Sequence, residues 1–237
     1  MTLGNMRANG LRSLASRCRG KLSMTVCAAV AAAFVCGYAA RKWRYLLGPD
    51  HYTVRKEAIL AEVREFRSYD YVIVGDSITE FANLPSLCGK SVLNAGISGA
   101  RIRDAEELLT ELSPILRANT IILAIGINDA KTAQKQSDTT RADFGRLVRL
   151  AKDTGVEVFA ATVGPVDFTK PTGAAHDPRL IDAINTQVRA FTEDNRLIDL
   201  NATLKPDDTL DGVHLTEIGV QRWRSAIEAV VCPTWRP

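Results

Sequence analysis

Residues 120–125 read TIILAI and run directly into Gly126-Ile127-Asn128-Asp129. A strand with one wet face alternates apolar and polar residues. This run does not alternate, which is expected of a strand whose two faces are both covered. Three further runs share its character: Asp70–Val74 (DYVIV), Ser91–Leu93 and Val156–Val163 (VEVFAATV). A fifth is Arg196–Leu200 (RLIDL). Between them lie stretches with apolar residues at helical spacing. Ile102, Ala105, Leu108, Leu109, Leu112, Ile115 and Leu116 mark a helix over 102–116. Another runs from about Thr139 to Asp153 and stops at Gly155. Asp177-Pro178 is an N-cap followed by proline at the first helical position, opening a helix to about Asp194. Val54, Ile59, Leu60, Val63 and Phe66 give a leading helix over His51–Arg67, and Thr216–Val231 gives the last one.

Strands separated by helices need crossover connections, and crossovers make parallel sheets. The expected fold is α/β: a three-layer α/β/α sandwich on a five-stranded parallel sheet, preceded by a single N-terminal apolar helix. In such sheets ligands bind beyond the C-terminal ends of the strands.

The charge is split along the chain. Residues 1–50 hold eight Lys/Arg and one acid, whereas residues 51–237 hold 22 Lys/Arg and 26 Asp/Glu. A weakly acidic body argues against binding nucleic acid by phosphate neutralisation. Residues 1–21 form a basic tail. Residues 22–40, LSMTVCAAVAAAFVCGYAA, carry no charge, and Arg41, Lys42 and Arg44 follow. A helix of that length spans roughly 28 Å at ~1.5 Å per residue, close to a hydrocarbon core of ~30 Å. The first reading is a transmembrane anchor with the body outside the cytoplasm, supported by the stronger N-terminal basic flank and by Trp43 and Tyr45 at the interface position. A cleaved signal peptide and a buried Ala-rich helix are the two others. Residues 41–68 then serve as linker and leading helix, and 69–237 as the α/β domain. No two of Cys18, Cys27, Cys36, Cys88 and Cys232 have CxxC spacing; Cys88 and Cys232 read either as a disulfide in an oxidising compartment or as two free thiols.

The Gly-rich and polar pieces all fall after strands. They are Gly75-Asp76-Ser77, Asn94-Ala95-Gly96-Ile97-Ser98-Gly99, Gly126-Ile127-Asn128-Asp129, Gly164-Pro165-Val166-Asp167 and Asp211-Gly212-Val213-His214. GDS, NxGxxG, GxND and DxxH, in that order, resemble the four blocks of the SGNH (GDSL) hydrolase family over roughly Asp70–Val231. Each block alone is weak, and four in order at strand ends are not. The resemblance implies a serine esterase or lipase on a flavodoxin-like sheet.

Residue by residue, it implies Ser77 as nucleophile. A serine hydroxyl needs an adjacent base, and the chain has three histidines, His51, His176 and His214. His214 sits at the expected rim, with Asp211 three residues earlier to orient it. The implied oxyanion donors are the backbone N–H of Ser77, the backbone N–H of Gly99 and the side-chain amide of Asn128. Gly96 and Ser98 read as structural, and Asp76 and Asp129 as hydrogen-bonding partners of rim loops. GISGA at 96–100 is not GxSxG, and no P-loop or dinucleotide fingerprint is present. No cofactor and no metal is expected. The polar segment DFTKPTGAAHDP, 167–178, with the single aromatic Phe168, points to a short acyl group on an extracytoplasmic glycan or small molecule. Transfer to a glycan acceptor, a lipase, lysophospholipase or thioesterase activity, and a non-catalytic glycan-binding module are the alternatives. Oligomeric state stays open.

Overall fold

The computed structural model describes residues 50–66, 68–132, 139–232 and 234; the expected basic tail and apolar segment lie outside the described residues. In chain order the elements are α1 (His51–Phe66), β1 (Tyr69–Gly75), α2 (Ser77–Ala82), β2 (Ser86–Leu87), β3 (Lys90–Gly96), α3 (Ile102–Leu112), β4 (Ala118–Ala124), α4 (Thr139–Lys152), β5 (Glu157–Ala161), α5 (Pro178–Phe191), β6 (Leu197–Ile198), α6 (Leu200–Thr203) and α7 (Glu217–Val231). Among the described residues no helix is long and apolar enough to cross a membrane.

The sheet runs in the order β2-β3-β1-β4-β5-β6. Five strands are parallel, with Gly75 opposite both Gly96 and Ala124 at their C-terminal ends. Side chains of successive strand residues enter different layers. Val72, Val74, Ile121 and Leu123 pack with Ile59 and Leu60 of α1, Leu108 and Leu109 of α3, Phe144 of α4 and Ile184 of α5. Tyr71, Ile73 and Ile122 pack on the other side with Trp223 and Ile227 of α7. This two-sided burial explains why TIILAI does not alternate.

The expected five-stranded parallel sheet needs one correction. A sixth strand, β2, pairs antiparallel with β3 through Ser86↔Ser91 and Leu87↔Lys90, so the sheet is mixed. The loop between them is two residues, Cys88 and Gly89, at φ 53° and 74°. Two successive positive φ values are what a tight hairpin turn demands. Asn-Gly or Asp-Gly would have announced it; Cys-Gly does not.

Element ends follow local chemistry. α3 stops at Leu112, four residues before its expected end. Pro114 has no N–H and crowds the residue before it. Asp177 caps α5, accepting from the N–H of Arg179, with Pro178 just inside the helix. Thr216 caps α7 by accepting from the N–H of Gly219. The fifth expected strand shortens to Leu197–Ile198 because Asp199 caps the short helix α6.

Cys88 in the edge hairpin and Cys232 at the end of α7 form a disulfide across 144 residues. A bridge closing so long a loop removes much freedom from the unfolded chain. Replacing both cysteines by serine should therefore lower unfolding free energy by about 2–4 kcal/mol, read as a reduced midpoint in chemical denaturation. An unchanged midpoint would show that the edge hairpin and α7 are held by packing alone.

Candidate active site

Ser77 opens α2 immediately after β1. Asp76, its neighbour, is the N-cap: one carboxyl oxygen accepts from the N–H of Ile78 at 2.9 Å. Burial pushes Asp76 up to about 7, the capping bond and the charge of His214 acting in the opposite direction. Desolvation favours the neutral form of this carboxyl, which moderates its cost of burial.

The hydroxyl of Ser77 lies 2.9 Å from Nε2 of His214, 137 residues later in the chain. On the other side of the ring, Nδ1 of His214 is 2.8 Å from Oδ2 of Asp211. An ionised carboxylate only accepts, so Nδ1 carries the hydrogen and the Nε2 lone pair faces Ser77. The other Asp211 oxygen accepts from the N–H groups of Val213 and His214 at 3.1 and 2.9 Å. Partial burial works to raise the Asp211 carboxyl. The His214 ring, the His214 N–H, the Thr172 hydroxyl and the Val213 N–H outweigh it and hold the group well below the usual carboxylate range.

The loop after β3 approaches from the side. Gly99 has φ +81°, a left-handed conformation open to glycine at little cost. The turn is fixed by Ala100, whose N–H donates to Ile97 at 3.0 Å, and by Ile97, whose N–H donates to Gly75 at 3.1 Å. Glu80, in α2, accepts from both the N–H and the hydroxyl of Ser98 at 2.6 Å each. Glu80 in turn meets His51 of α1 at 3.0 Å. Arg55 of α1 donates to the carbonyls of Asn94 and Gly96. Asn94 is internal to the block: its amide donates to Thr79 and its oxygen accepts from Gly96. The helix that Ser77 opens and the Gly99 loop are thus bolted together, and α1 braces both.

Asn128 lies in a 3-10 turn, Ile127–Ala130, after β4. It is buried, and Nδ2 donates to the carbonyl of Ala100 at 3.0 Å. That bond uses one of two amide hydrogens and ties Asn128 to the residue beside Gly99. Asp129 accepts from the N–H of Ile102 at 3.0 Å, capping the start of α3. The remaining histidines sit elsewhere: His51 is exposed on Glu80, and His176 is buried with Nδ1 donating to the carbonyl of Thr172 at 2.9 Å.

Three contributors carry no motif in the sequence. Thr172 donates its hydroxyl to Oδ2 of Asp211 at 2.8 Å. Glu80 anchors Ser98. Phe81, 63% exposed, places its ring centroid 5.6 Å from that of His214. Helical spacing on α2 is too short a signal to mark Glu80 and Phe81, and a threonine in a polar loop has no signature. A small apolar pocket of about 30 Å³ lies between the rim loops, lined in part by Ile78, Ile127, Val213 and Leu215, the sequence neighbours of Ser77, Asn128 and His214. Among the described residues no group of three or more His, Cys, Asp or Glu is placed to hold a metal ion.

A serine hydroxyl in hydrogen-bonding line with an oriented imidazole and a carboxylate is an arrangement able to transfer an acyl group. Comparison with known proteins bears on which. The family model described as the GDSL-like lipase/acylhydrolase family matches residues 73–222. No curated protein matches the chain. Among solved structures, a GDSL-like lipase from Bacteroides thetaiotaomicron is similar at 22% identity and TM-score 0.56, covering 76% of this chain and 96% of that one. The acetyl xylan esterase AlAXEase is similar at 20% and 0.53, covering 68% and 99%. The C-terminal catalytic domain of Streptococcus pneumoniae peptidoglycan O-acetyltransferase A is similar at 19% and 0.52, covering 69% and 93%. At these identities the three share the fold of this chain.

Proposed function

Because this chain belongs to the GDSL-like lipase/acylhydrolase family, we propose that it is a serine esterase working through Ser77, His214 and Asp211 on a short, acetyl-like acyl group. It is an ester-bond hydrolase by family; the residue roles and the substrate are our reading. One observation carries the roles: the unbroken line from the Ser77 hydroxyl to Nε2 of His214 at 2.9 Å and from Nδ1 to Asp211 at 2.8 Å.

In the proposed reaction the Ser77 oxygen attacks the ester carbonyl as Nε2 takes its proton. The carbonyl oxygen becomes an oxyanion, held by the N–H groups of Ser77 and Gly99 and by the Asn128 amide. As the tetrahedral species collapses, the bond to the alcohol oxygen breaks and His214 hands its proton to the leaving alcohol. Water then repeats the sequence in reverse roles: His214 takes its proton, the hydroxide adds to the acyl-serine, and the carboxylic acid leaves as Ser77 regains its proton. Asp211 keeps the imidazole in the required tautomer and stabilises the imidazolium without itself being protonated.

The short acyl preference is supported by the polar segment 167–178, whose only aromatic is Phe168 and which offers little apolar wall to a long chain. A specific observation favours a second reading, a longer lipid-like ester. Phe81, Leu210 and Ile218 are each more than half exposed. Phe81 lies against His214, Leu210 precedes Asp211 in sequence, and Ile218 follows His214 by four residues. A series of p-nitrophenyl esters from acetate to palmitate separates the two. We expect kcat/KM to peak at acetate or propionate; a peak at eight carbons or more would replace the short-chain reading with the lipase one. Product analysis with an added glycan acceptor separates hydrolysis from transfer.

The place of action is proposed to be outside the cytoplasm, with residues 22–40 as anchor. The Cys88–Cys232 disulfide supports this, since such bridges persist in oxidising compartments.

A further inference from the structure

The segment between β5 and α5 is more than a substrate rim. Backbone N–H groups of Thr172 and Gly173 donate to the carbonyl of Asp211 at 3.1 and 3.2 Å, and that of Asp167 donates to the carbonyl of Gly212 at 3.0 Å. Lys170 reaches the carbonyl of Thr209 at 2.6 Å. Gly212 is at φ +101°, and a Cβ there would run into the Asp167 carbonyl, so the two loops close on one another only with glycine at this point. The segment therefore grips the Asp211–His214 turn along its backbone. From that grip the hydroxyl of Thr172 enters the acid–base line itself, donating to Oδ2, the same oxygen that accepts from Nδ1 of His214.

We propose that Thr172 is a positioning residue for the acid–base pair: its hydroxyl fixes the Asp211 carboxylate in plane with His214 and draws off part of its charge. The inference rests on the Ser77–His214–Asp211 reading and extends it. A carboxylate oxygen that already accepts a hydroxyl proton is a weaker partner for an imidazolium than a bare one. With Thr172 in place, Oδ2 of Asp211 is shared between the hydroxyl and Nδ1; without it, the barer carboxylate is the stronger partner of the imidazolium, the form of the ring that cannot accept the Ser77 proton. The other titratable groups about the pair are Asp76 at the head of α2, which interacts with His214, and His176, which interacts with Asp211 and whose Nδ1 donates to the Thr172 carbonyl, a main-chain acceptor that every Thr172 variant keeps; the Asp167–Lys170 ion pair lies on the same loop.

The test is the pH dependence of kcat/KM on p-nitrophenyl acetate for wild type, Thr172→Val, Thr172→Ala and Thr172→Ser. In Thr172→Val the acid limb should move upward by roughly half a pH unit or more, and activity at pH 6 should fall roughly three- to tenfold while the alkaline plateau changes less. Thr172→Ser, which keeps the hydroxyl, should restore the wild-type limb. Thr172→Ala serves the same purpose as valine should the added methyl prevent folding. A wild-type limb in the alanine or valine variant, alongside an inactive Ser77→Ala, overturns the role of Thr172 and leaves the nucleophile standing. An active Ser77→Ala would instead bring down the reading underneath. A serine variant that behaves like valine would reduce Thr172 to loop packing.

Discussion

Ser77→Ala will lower ester hydrolysis by a factor on the order of a million, with the fold and the thermal midpoint retained. The reason is local. In the proposed reaction the hydroxyl supplies the atom that forms the acyl bond, and alanine offers His214 nothing to deprotonate. The backbone N–H proposed to serve the oxyanion is untouched, so a residual acceleration of about 10³–10⁴ over water should remain from the donors and from binding. His214→Ala should cost nearly as much. The double variant should then fall no further than either single one, because each removal already disables the whole step. A double variant that loses the product of the two factors would mean that Ser77 and His214 act independently, against the 2.9 Å contact between them. The measurement is kcat/KM on p-nitrophenyl acetate for the three variants, with circular dichroism as a control for folding.

Asp211→Asn will cost about 10⁴ in kcat with little change in structure. The four donors around the carboxylate dictate how an amide would sit. Val213 and His214 both present backbone N–H groups to one oxygen, so that position must be the amide oxygen. The amide nitrogen then faces the Thr172 hydroxyl and Nδ1 of His214. Thr172 can turn its hydroxyl and accept. Nδ1 must accept as well, which moves the ring hydrogen to Nε2 and removes the lone pair that Ser77 needs. The loss should ease only at strongly alkaline pH. A fall of less than tenfold would show that Asp211 is a turn residue, the role an Asp-Gly pair also fills.

How much of this was legible beforehand depends on which residues carry a period. TIILAI and its companions announce a sheet covered on both faces, and the helical stripe from Ile102 announces what covers it. The strand ends then place Ser77, Gly99, Asn128, Asp211 and His214 on one rim, because parallel strands all point their C-terminal ends the same way. The structure brings Ser77, His214 and Asp211 into hydrogen-bonding line and sets Asn128 against the Gly99 turn. What stayed hidden has no period. β2 is two residues long and its turn is Cys-Gly. The pairing of Cys88 with Cys232 is different: the sequence names the pair as one of two readings, and only the structure chooses the disulfide. Thr172 touches Asp211 from 39 residues away, through a loop whose composition marks it only as polar. Reading that loop as rim missed its grip on the catalytic turn. Counting Phe168 as its one aromatic also missed Phe81, which reaches His214 from another element.

The most direct test is covalent labelling with a fluorophosphonate probe, read by intact mass and peptide mapping. The account predicts a single adduct on the peptide carrying Ser77, absent from Ser77→Ala and much slowed in His214→Ala. An adduct on another residue, or labelling of Ser77→Ala at the wild-type rate, would contradict it.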